Sequence, residues 1–425
     1  MLTRILPTPP GIPPDQQPAL RNNLLMHLLD GSFYVLGMSI VSMQTILPVF
    51  MKELGGGPVA IGSIAVLWMI GQNFPSMFIA HYLGPRPQFR APMVWWGLAH
   101  RLMLLVCAAA AFFLVGWLST DVIVPLFLFL IFLIPVIGSL SGLPWFQVFT
   151  KTVPVQLRGR LMGLRQMLGS ASGAVGGMIV SGILYAVAFP ANYALLFLIA
   201  CIITMVSFWF LMRIEEPHSR PAEKEERAPR MLADARRILS ANRNFRNFLI
   251  ADLFLLMSLT AGSFYSVHAL ERFSLPASYA GTFTAVVMAS NIGANILFGI
   301  IGDTYGHRVN LLAFALSSAL ASVFAVLSVN ILMYGVVFIG YAVATQIQAI
   351  SRLSFIAEMC REHERPVYVG IVNTLTAPTV LLGLLFGWLV PYTGYAVIFL
   401  AAALLAGISF LILHTVVNEP RERLS

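Results

Sequence analysis

Four charged residues interrupt long apolar stretches of this chain: Asp30, Arg101, Asp252 and Arg352. At the centre of a membrane helix each would cost roughly 2.5–3.5 kcal/mol, and less nearer the ends. A cost of that size marks a function or a pair. Two chemistries suit carboxylates and guanidinium groups so placed. One is a fixed ion pair that holds helices together. The other is a group that takes up and releases a proton as water gains access. Asp252 lies six residues past Arg246, and Arg352 lies seven before Met359. At about 1.5 Å per residue, both sit about 10 Å inside the same end of their stretches. Equal depth predicts an ion pair between them. Asp30 lies at a matching depth, and Arg101 about 13 Å in, where it can neutralise Asp30 or a loop carbonyl. His100 beside it reads as a packed, neutral imidazole.

Uncharged polar residues recur at helical spacing. Tyr341, Thr345, Gln348 and Arg352 form one face, and Asp30, Tyr34, Gly37, Val41 and Gln44 form another. Thr284, Met288, Asn291, Asn295 and Gly299 form a third. Gln72, Asn73, Gln166 and Asn373 add further amides. Amides facing lipid would be left unsatisfied, so these faces should look inward. Hydrogen bonding between helices would explain some of them. With Tyr34, Trp68, Trp145, Tyr265 and Tyr341, they suit a hydrated cavity for a small polar or amphipathic organic solute. Arg158, Arg160 and Arg165 are expected to anchor on anionic lipid heads. Arg165, just inside its stretch, has the alternative of attracting an anionic substrate.

The elements that must position these residues follow from composition. Of the 425 residues, 58% are hydrophobic and only 10% charged, against about 25% charged in soluble domains. Lipid is the solvent such a chain requires. The net charge of +8 is not a nucleic-acid signature, because the basic residues lie between apolar spans. The three cysteines, Cys107, Cys201 and Cys360, show neither pairing nor metal-ligand spacing. Residues 1–22 read as a disordered Pro-rich tail without a signal sequence.

A bilayer core of about 30 Å takes roughly 20 apolar residues as helix. Such stretches run over approximately 24–51, 59–82, 92–117, 121–149, 160–188, 191–213, 246–270, 279–301, 309–329, 331–358, 366–390 and 394–416, twelve in all. Of the 26 Lys and Arg, Arg101 and Arg352 fall deep within spans, and Lys52 and Arg272 in loops of one parity. The others fall in the tails, the central segment and the loops of opposite parity. That bias predicts cytoplasmic termini and an inner-membrane protein facing an anionic inner leaflet. The expected organisation is a tail over 1–22, a lobe over 23–213, a linker over 214–245, a lobe over 246–416 and a tail over 417–425. Within the linker, MLADARRILS places Leu232, Ala235, Ile238 and Leu239 on one face. That is a short helix lying either on the inner leaflet or, as an ordinary linker helix, in the cytosol.

The two halves repeat. Arg21, Asn22 and Asp30 recur 222 positions later as Arg243, Asn244 and Asp252, and the same shift carries Gly84 and Arg86 onto Gly306 and Arg308. At a shift of 207, Arg158, Gly163 and Gln166 map onto Arg365, Gly370 and Asn373. A doubled block with a carboxylate early in each copy suggests a two-lobed membrane transporter. The sequence resembles the major facilitator superfamily over nearly its whole length. The most specific match is Gly302-Asp303-Thr304-Tyr305-Gly306-His307-Arg308, which resembles that family's loop signature of Gly, Asp, Gly and basic residues. The resemblance implies twelve transmembrane helices in two pseudo-symmetric six-helix lobes. It also implies that Gly302, Asp303, Gly306 and Arg308, with Gly84 and Arg86, form a conformational latch. The first-half copy departs from the pattern, since His81 stands where the Asp is expected. Gly169, Gly173, Gly176, Gly177 and Gly182 in the fifth span resemble the family's antiporter signature. Its Pro is absent, so close helix packing explains them as well.

The function expected is secondary active transport of a small polar or amphipathic organic solute by alternating access. Protons are the expected coupling ion, through Asp30 or Asp252, with Arg101 and Arg352 as their partners. A non-transporting assembly factor or sensor of the same fold is the alternative. No HExxH, GxSxG, P-loop or Cys/His cluster is present, so no enzymatic activity, cofactor or metal site is expected. The partners foreseen are a small-molecule substrate, protons and the bilayer, with no nucleic acid, for a monomeric protein.

Overall fold

A computed structural model of the chain describes residues 13–83, 88–217, 231–361 and 364–420, and is almost wholly helical. The first half contains α1 (Gln17–Ile40), α2 (Ile46–Glu53), α3 (Pro58–Leu83), α4 (Arg90–Phe113), α5 (Thr120–Thr152), α6 (Val155–Ala186) and α7 (Ala191–Leu211). The linker helix is α8 (Met231–Ala241). The second half contains α9 (Arg243–Leu259), α10 (Gly262–Arg272), α11 (Tyr279–Tyr305), α12 (His307–Leu327), α13 (Ile331–Glu358), α14 (Arg365–Thr376) and α15 (Leu382–Thr415).

These elements make twelve membrane crossings. The first span is α1 and α2, broken at residues 41–45, and the seventh is α9 and α10, broken at Thr260-Ala261. The last two spans run together as one helical stretch, Val367–Thr415. Gly394 separates them with a φ of 74°, a left-handed turn that a residue with a Cβ rarely adopts. Local chemistry sets several helix starts. The Asn242 side chain accepts the Phe245 N–H at 3.0 Å to begin α9, and Asn330 accepts the Met333 N–H at 2.8 Å to begin α13.

The described residues cluster into two compact units. The first takes α1, α2, α4–α7, the part of α3 from Leu67, and Ala277–Ala285. The second takes Gly57–Val66 and the remaining elements from α8 onward. Within the first unit α1 packs on α6 and α7, and α4 on α5 and α7; within the second, α12 packs on α13 and α15, and α9 on α15. Gly169 and Gly176 of α6 admit Val35 and Leu36 of α1 at close range, which is small-residue helix packing. The second unit's core is built on Phe245, Phe248, Phe314 and Phe355. Ile238 of α8 is buried in that same core. The apolar face of the linker helix is therefore placed, at Ile238, on protein rather than on lipid. Large apolar side chains such as Ile202, Leu320 and Leu411 are exposed along the helices, as surfaces solvated by acyl chains require.

Candidate functional site

Asp30 of α1 is the charge centre of the first unit. Its Oδ1 accepts the Ser207 hydroxyl at 2.8 Å and lies 3.6 Å from Nη2 of Arg101; its Oδ2 lies 3.3 Å from Nη2 of Arg165. Three helices converge on one carboxylate: α4 brings Arg101, α6 brings Arg165 and α7 brings Ser207. Arg101 is fixed further by donating from Nε to the Thr204 carbonyl (2.7 Å) and from Nη1 to the Gly97 carbonyl (2.8 Å). It thus does both things its depth allowed, neutralising Asp30 and satisfying carbonyls, although those carbonyls belong to helices and not to a loop. The guanidinium of Arg165 lies over the Trp145 ring, 4.6 Å from its centroid. Gly31 makes room for it, since a Cβ at that position would collide with the Arg165 guanidinium.

A cavity of about 580 Å³ opens beside this cluster, lined by Asp30, Tyr34, Trp68, Gln72, Asn73, His100, Arg101, Trp145 and Arg165 among others. The imidazole of His100 is buried and sits 5.8 Å from the Tyr34 ring. The cavity thus joins Asp30, Arg101, Tyr34, Gln72, Asn73 and Trp145 from the sequence-derived set. It does not include Gln44, which falls in the break between α1 and α2, because the helical face begun at Asp30 ends at Ile40. Gln166 also lies apart from it, donating to the Ser170 hydroxyl at 3.4 Å.

The second unit holds a tighter pair. Nε of Arg352 on α13 donates to both oxygens of Asp252 on α9, at 3.0 and 2.8 Å, and Nη2 lies 2.8 Å from Oδ2. Nη1 reaches Asn373 Oδ1 (3.3 Å) and Nη2 reaches the Thr376 hydroxyl (3.0 Å) on α14. Asp252 is 0% exposed. Tyr341, Thr345, Gln348 and Arg352 are all half-buried along one side of α13, and Thr345 donates back to the Tyr341 carbonyl at 3.0 Å. Tyr265 is a core residue here: its hydroxyl is 2.9 Å from that of Ser322, and its ring packs against Tyr341 and Phe399. Asn291 of α11 is buried with no partner for Oδ1 among the described residues, and Asn295 is half-buried.

Around the latch sequence, Gly302 and Asp303 fall in the last turn of α11, and Gly306 is the single residue between α11 and α12, with a φ of 88°. Glu419 Oε2 accepts the Arg308 N–H at 3.0 Å, while the Arg308 guanidinium donates to the Leu413 (3.0 Å) and His414 (2.7 Å) carbonyls. Gly84 and Arg86 lie outside the described residues. In the first unit Arg90 does the corresponding work. Glu216 accepts the N–H groups of Phe89 and Arg90 (2.8 and 2.7 Å) and the Lys151 ammonium (2.8 Å), and Arg90 donates to the Met212 carbonyl at 2.7 Å. Asn23 brackets Glu215 with two backbone hydrogen bonds (3.0 and 2.9 Å), as Asn244 brackets Asn418 (2.9 and 2.8 Å). Sequence reasoning missed this doubled clamp. Its signal was Glu216-Pro217 recurring as Glu419-Pro420, 203 positions on. Arg158, expected at lipid heads, donates to the Val153 and Thr150 carbonyls at the end of α5 (3.0 and 2.7 Å).

A Major Facilitator Superfamily family model matches residues 31–377 and 270–425. The chain belongs to that superfamily. Its fold is similar to that of a mutant nucleoside transporter NupG, with a TM-score of 0.70 at 13% identity, covering 92% of this chain and 99% of that one. It is also similar to a D-xylose-proton symporter (TM-score 0.66, 14% identity, 94% and 98% covered). A third likeness is to a bacterial homologue of the iron transporter ferroportin (TM-score 0.66, 13% identity, 94% and 99% covered). A search of curated protein sequences finds no match. This superfamily member is a multi-pass membrane transporter, with the twelve helices in two six-helix lobes that the resemblance implied.

Proposed function

We propose that the protein is a proton-coupled secondary transporter of a small polar or amphipathic organic solute, working by alternating access in the cytoplasmic membrane with both termini inside. The observation that carries the coupling is Asp30: a buried carboxylate that lines a cavity and is shared between two guanidinium groups and a hydroxyl. Protonation removes its charge and releases Arg165, and loss of the proton restores the pair. A carboxylate whose partner changes with its charge can couple proton movement to the contents of the cavity. Asp252 suits this less well, because it is fully enclosed and bound by a fork from Arg352. We assign it to holding α9 against α13. The connections carrying Glu216 and Glu419, whose side chains are enclosed, act as the latch, each tying the start of one helix to the end of another.

Proteoliposomes carrying a trapped pH dye test this reading. On addition of sugars, nucleosides, amines or organic acids, the wild-type chain should move protons with at least one class, and Asp30→Asn should abolish that movement. Undiminished proton flux in Asp30→Asn would remove Asp30 from coupling. Absence of flux with every class would favour a non-transporting assembly factor or sensor.

A further inference from the structure

The two guanidinium groups at Asp30 are unlike. Arg101 has oxygen acceptors on all three nitrogens: the Thr204 and Gly97 carbonyls, and for Nη2 the Ser207 hydroxyl at 2.9 Å. Arg165 does not. Its Nη2 has Asp30 at 3.3 Å, its Nη1 has only the Met162 sulfur at 3.8 Å, and its Nε has no acceptor among the described residues. Thioether sulfur is a weak acceptor. The indole N–H of Trp145, beneath this guanidinium, also lacks an acceptor among the described residues. Arg352 of the other unit is equally shielded, its side chain 12% exposed like that of Arg165, yet it meets oxygen at every nitrogen. Burial therefore does not explain the unmet donors of Arg165.

Charge points the same way. The cavity lining holds Arg101 and Arg165 against the single carboxylate of Asp30, so one positive charge is in excess. An unscreened excess in a low-dielectric pocket attracts an anion and repels a cation. The planar guanidinium fork matches two oxygens of one oxyanion. Trp68, Trp145 and Phe146 supply flat apolar walls, and Gln72 and Asn73 supply amides at its edge.

We infer that this cavity takes an organic monoanion, a carboxylate on an aromatic or otherwise apolar body, with Arg165 as its receptor and Asp30 as the internal carboxylate that holds Arg165 when the cavity is empty. The inference rests on the transport reading above and names its substrate class. Substrate carboxylate and Asp30 compete for one fork, so binding frees Asp30 to take a proton.

The test uses the purified full chain and three matched probes: 1-naphthoate, its uncharged isostere 1-naphthamide, and the cation 1-naphthylmethylamine. Thermal unfolding gives relative affinities, because a ligand that binds only the folded state stabilises it. Naphthoate should bind about ten-fold or more tightly than the amide, the worth of one charged hydrogen-bonded contact. Arg165→Gln should erase that preference and Arg165→Lys should keep part of it. Asp30→Asn should tighten naphthoate binding, which supplies a second reading if Arg165→Gln fails to fold. Equal binding of acid and amide, preference for the amine, or a preference for the acid that survives Arg165→Gln would each overturn the inference. Weaker or unchanged naphthoate binding in Asp30→Asn would do the same. Wild-type proteoliposomes that move the amide or amine but not naphthoate would overturn the anion inference and leave transport standing. Proteoliposomes that move none of the three, with a protein that binds none, would overturn the anion inference, and the transport reading would then fall only if the wider solute panel also gave no flux.

Discussion

Asp30 and Asp252 stand 222 positions apart and each meets a guanidinium, but the guanidinium arrives from a different span in each half. In the second half it is Arg352 of the tenth span. Carried back by the 207-residue shift, that position is Trp145, an aromatic ring with no charge to offer. The first half supplies the charge from the fifth span instead: Arg165 lies across the Trp145 ring to reach Asp30. The serine on the last span of each half differs in the same sense. Ser207 donates to the Asp30 carboxylate, whereas Ser409 donates to the Ala251 carbonyl at 2.8 Å, leaving Asp252 to Arg352. One half has therefore closed its ion pair and the other has left it open beside a cavity. Duplication gave both halves a buried carboxylate, and only the one with a loosely held partner suits a reversible task.

The largest expected effect breaks the closed pair. Arg352→Ala leaves Asp252 buried without a cation, which costs about 3–5 kcal/mol. Arg165→Gln leaves Asp30 with Arg101 and Ser207, and should cost only about 1 kcal/mol. Chemical unfolding in detergent measures both. Adding Asp252→Asn to Arg352→Ala should recover most of the loss, so strictly additive losses would show that the two side chains do not act as a pair. Equal costs for Arg352→Ala and Arg165→Gln would remove the distinction between a closed and an open half.

The doubled Glu-Pro clamp gives a smaller effect and asks how alike the halves are away from the carboxylates. Glu216 accepts two backbone N–H groups at the start of α4 as well as Lys151. Charge-assisted bonds of this kind favour the carboxylate at a helix N-terminus. Glu216→Gln should cost about 1–2 kcal/mol, and Glu419→Gln a comparable amount if the clamps are equivalent. The same unfolding assay reads both, and a clamp needed only in one half would show as a loss confined to one variant.

Much of this arrangement was legible in the sequence, for physical reasons that also explain the gaps. Apolar length and the forced hydrogen bonding of backbone in lipid mark the spans. Residue rise per turn gives depth, and depth alone predicted that Asp252 and Arg352 could meet. The doubled Asp at a fixed shift located the matched carboxylates. Three things stayed hidden. Side-chain polarity does not register a backbone break, so the face from Asp30 was carried past Ile40 to Gln44. Arg165 sits near a span end among loop arginines, and sequence spacing does not tell how far a long side chain will reach. The clamp glutamates lie at the edges of charged tails, where a single carboxylate among many reads as solvated. In the loop, the 222-residue shift pointed to Arg86 as the match of Arg308; Arg86 lies outside the described residues, among which Arg90 makes the corresponding carbonyl contact.

The smallest effect on stability is also the sharpest test of the contrast. Gly31 follows Asp30, and Leu253 follows Asp252. The second half carries a bulky neighbour there, and Arg352 reaches Asp252 from α13. The first half has no room for one, since the Arg165 guanidinium occupies the space a Cβ would fill. Gly31→Ala should push Arg165 off Asp30 into the cavity. Two terms then oppose one another: alanine within a helix gains roughly 0.5–1 kcal/mol over glycine, and a loose contact of similar worth is lost. Net stability should change by less than about 1 kcal/mol, while proton-coupled flux in proteoliposomes falls markedly because Asp30 no longer trades partners with Arg165. Leu253→Ala, the matched change in the closed half, should leave coupling as it was. If Gly31→Ala transports normally, the position of Arg165 over α1 is incidental, and the open pair is no more than a weaker version of the closed one.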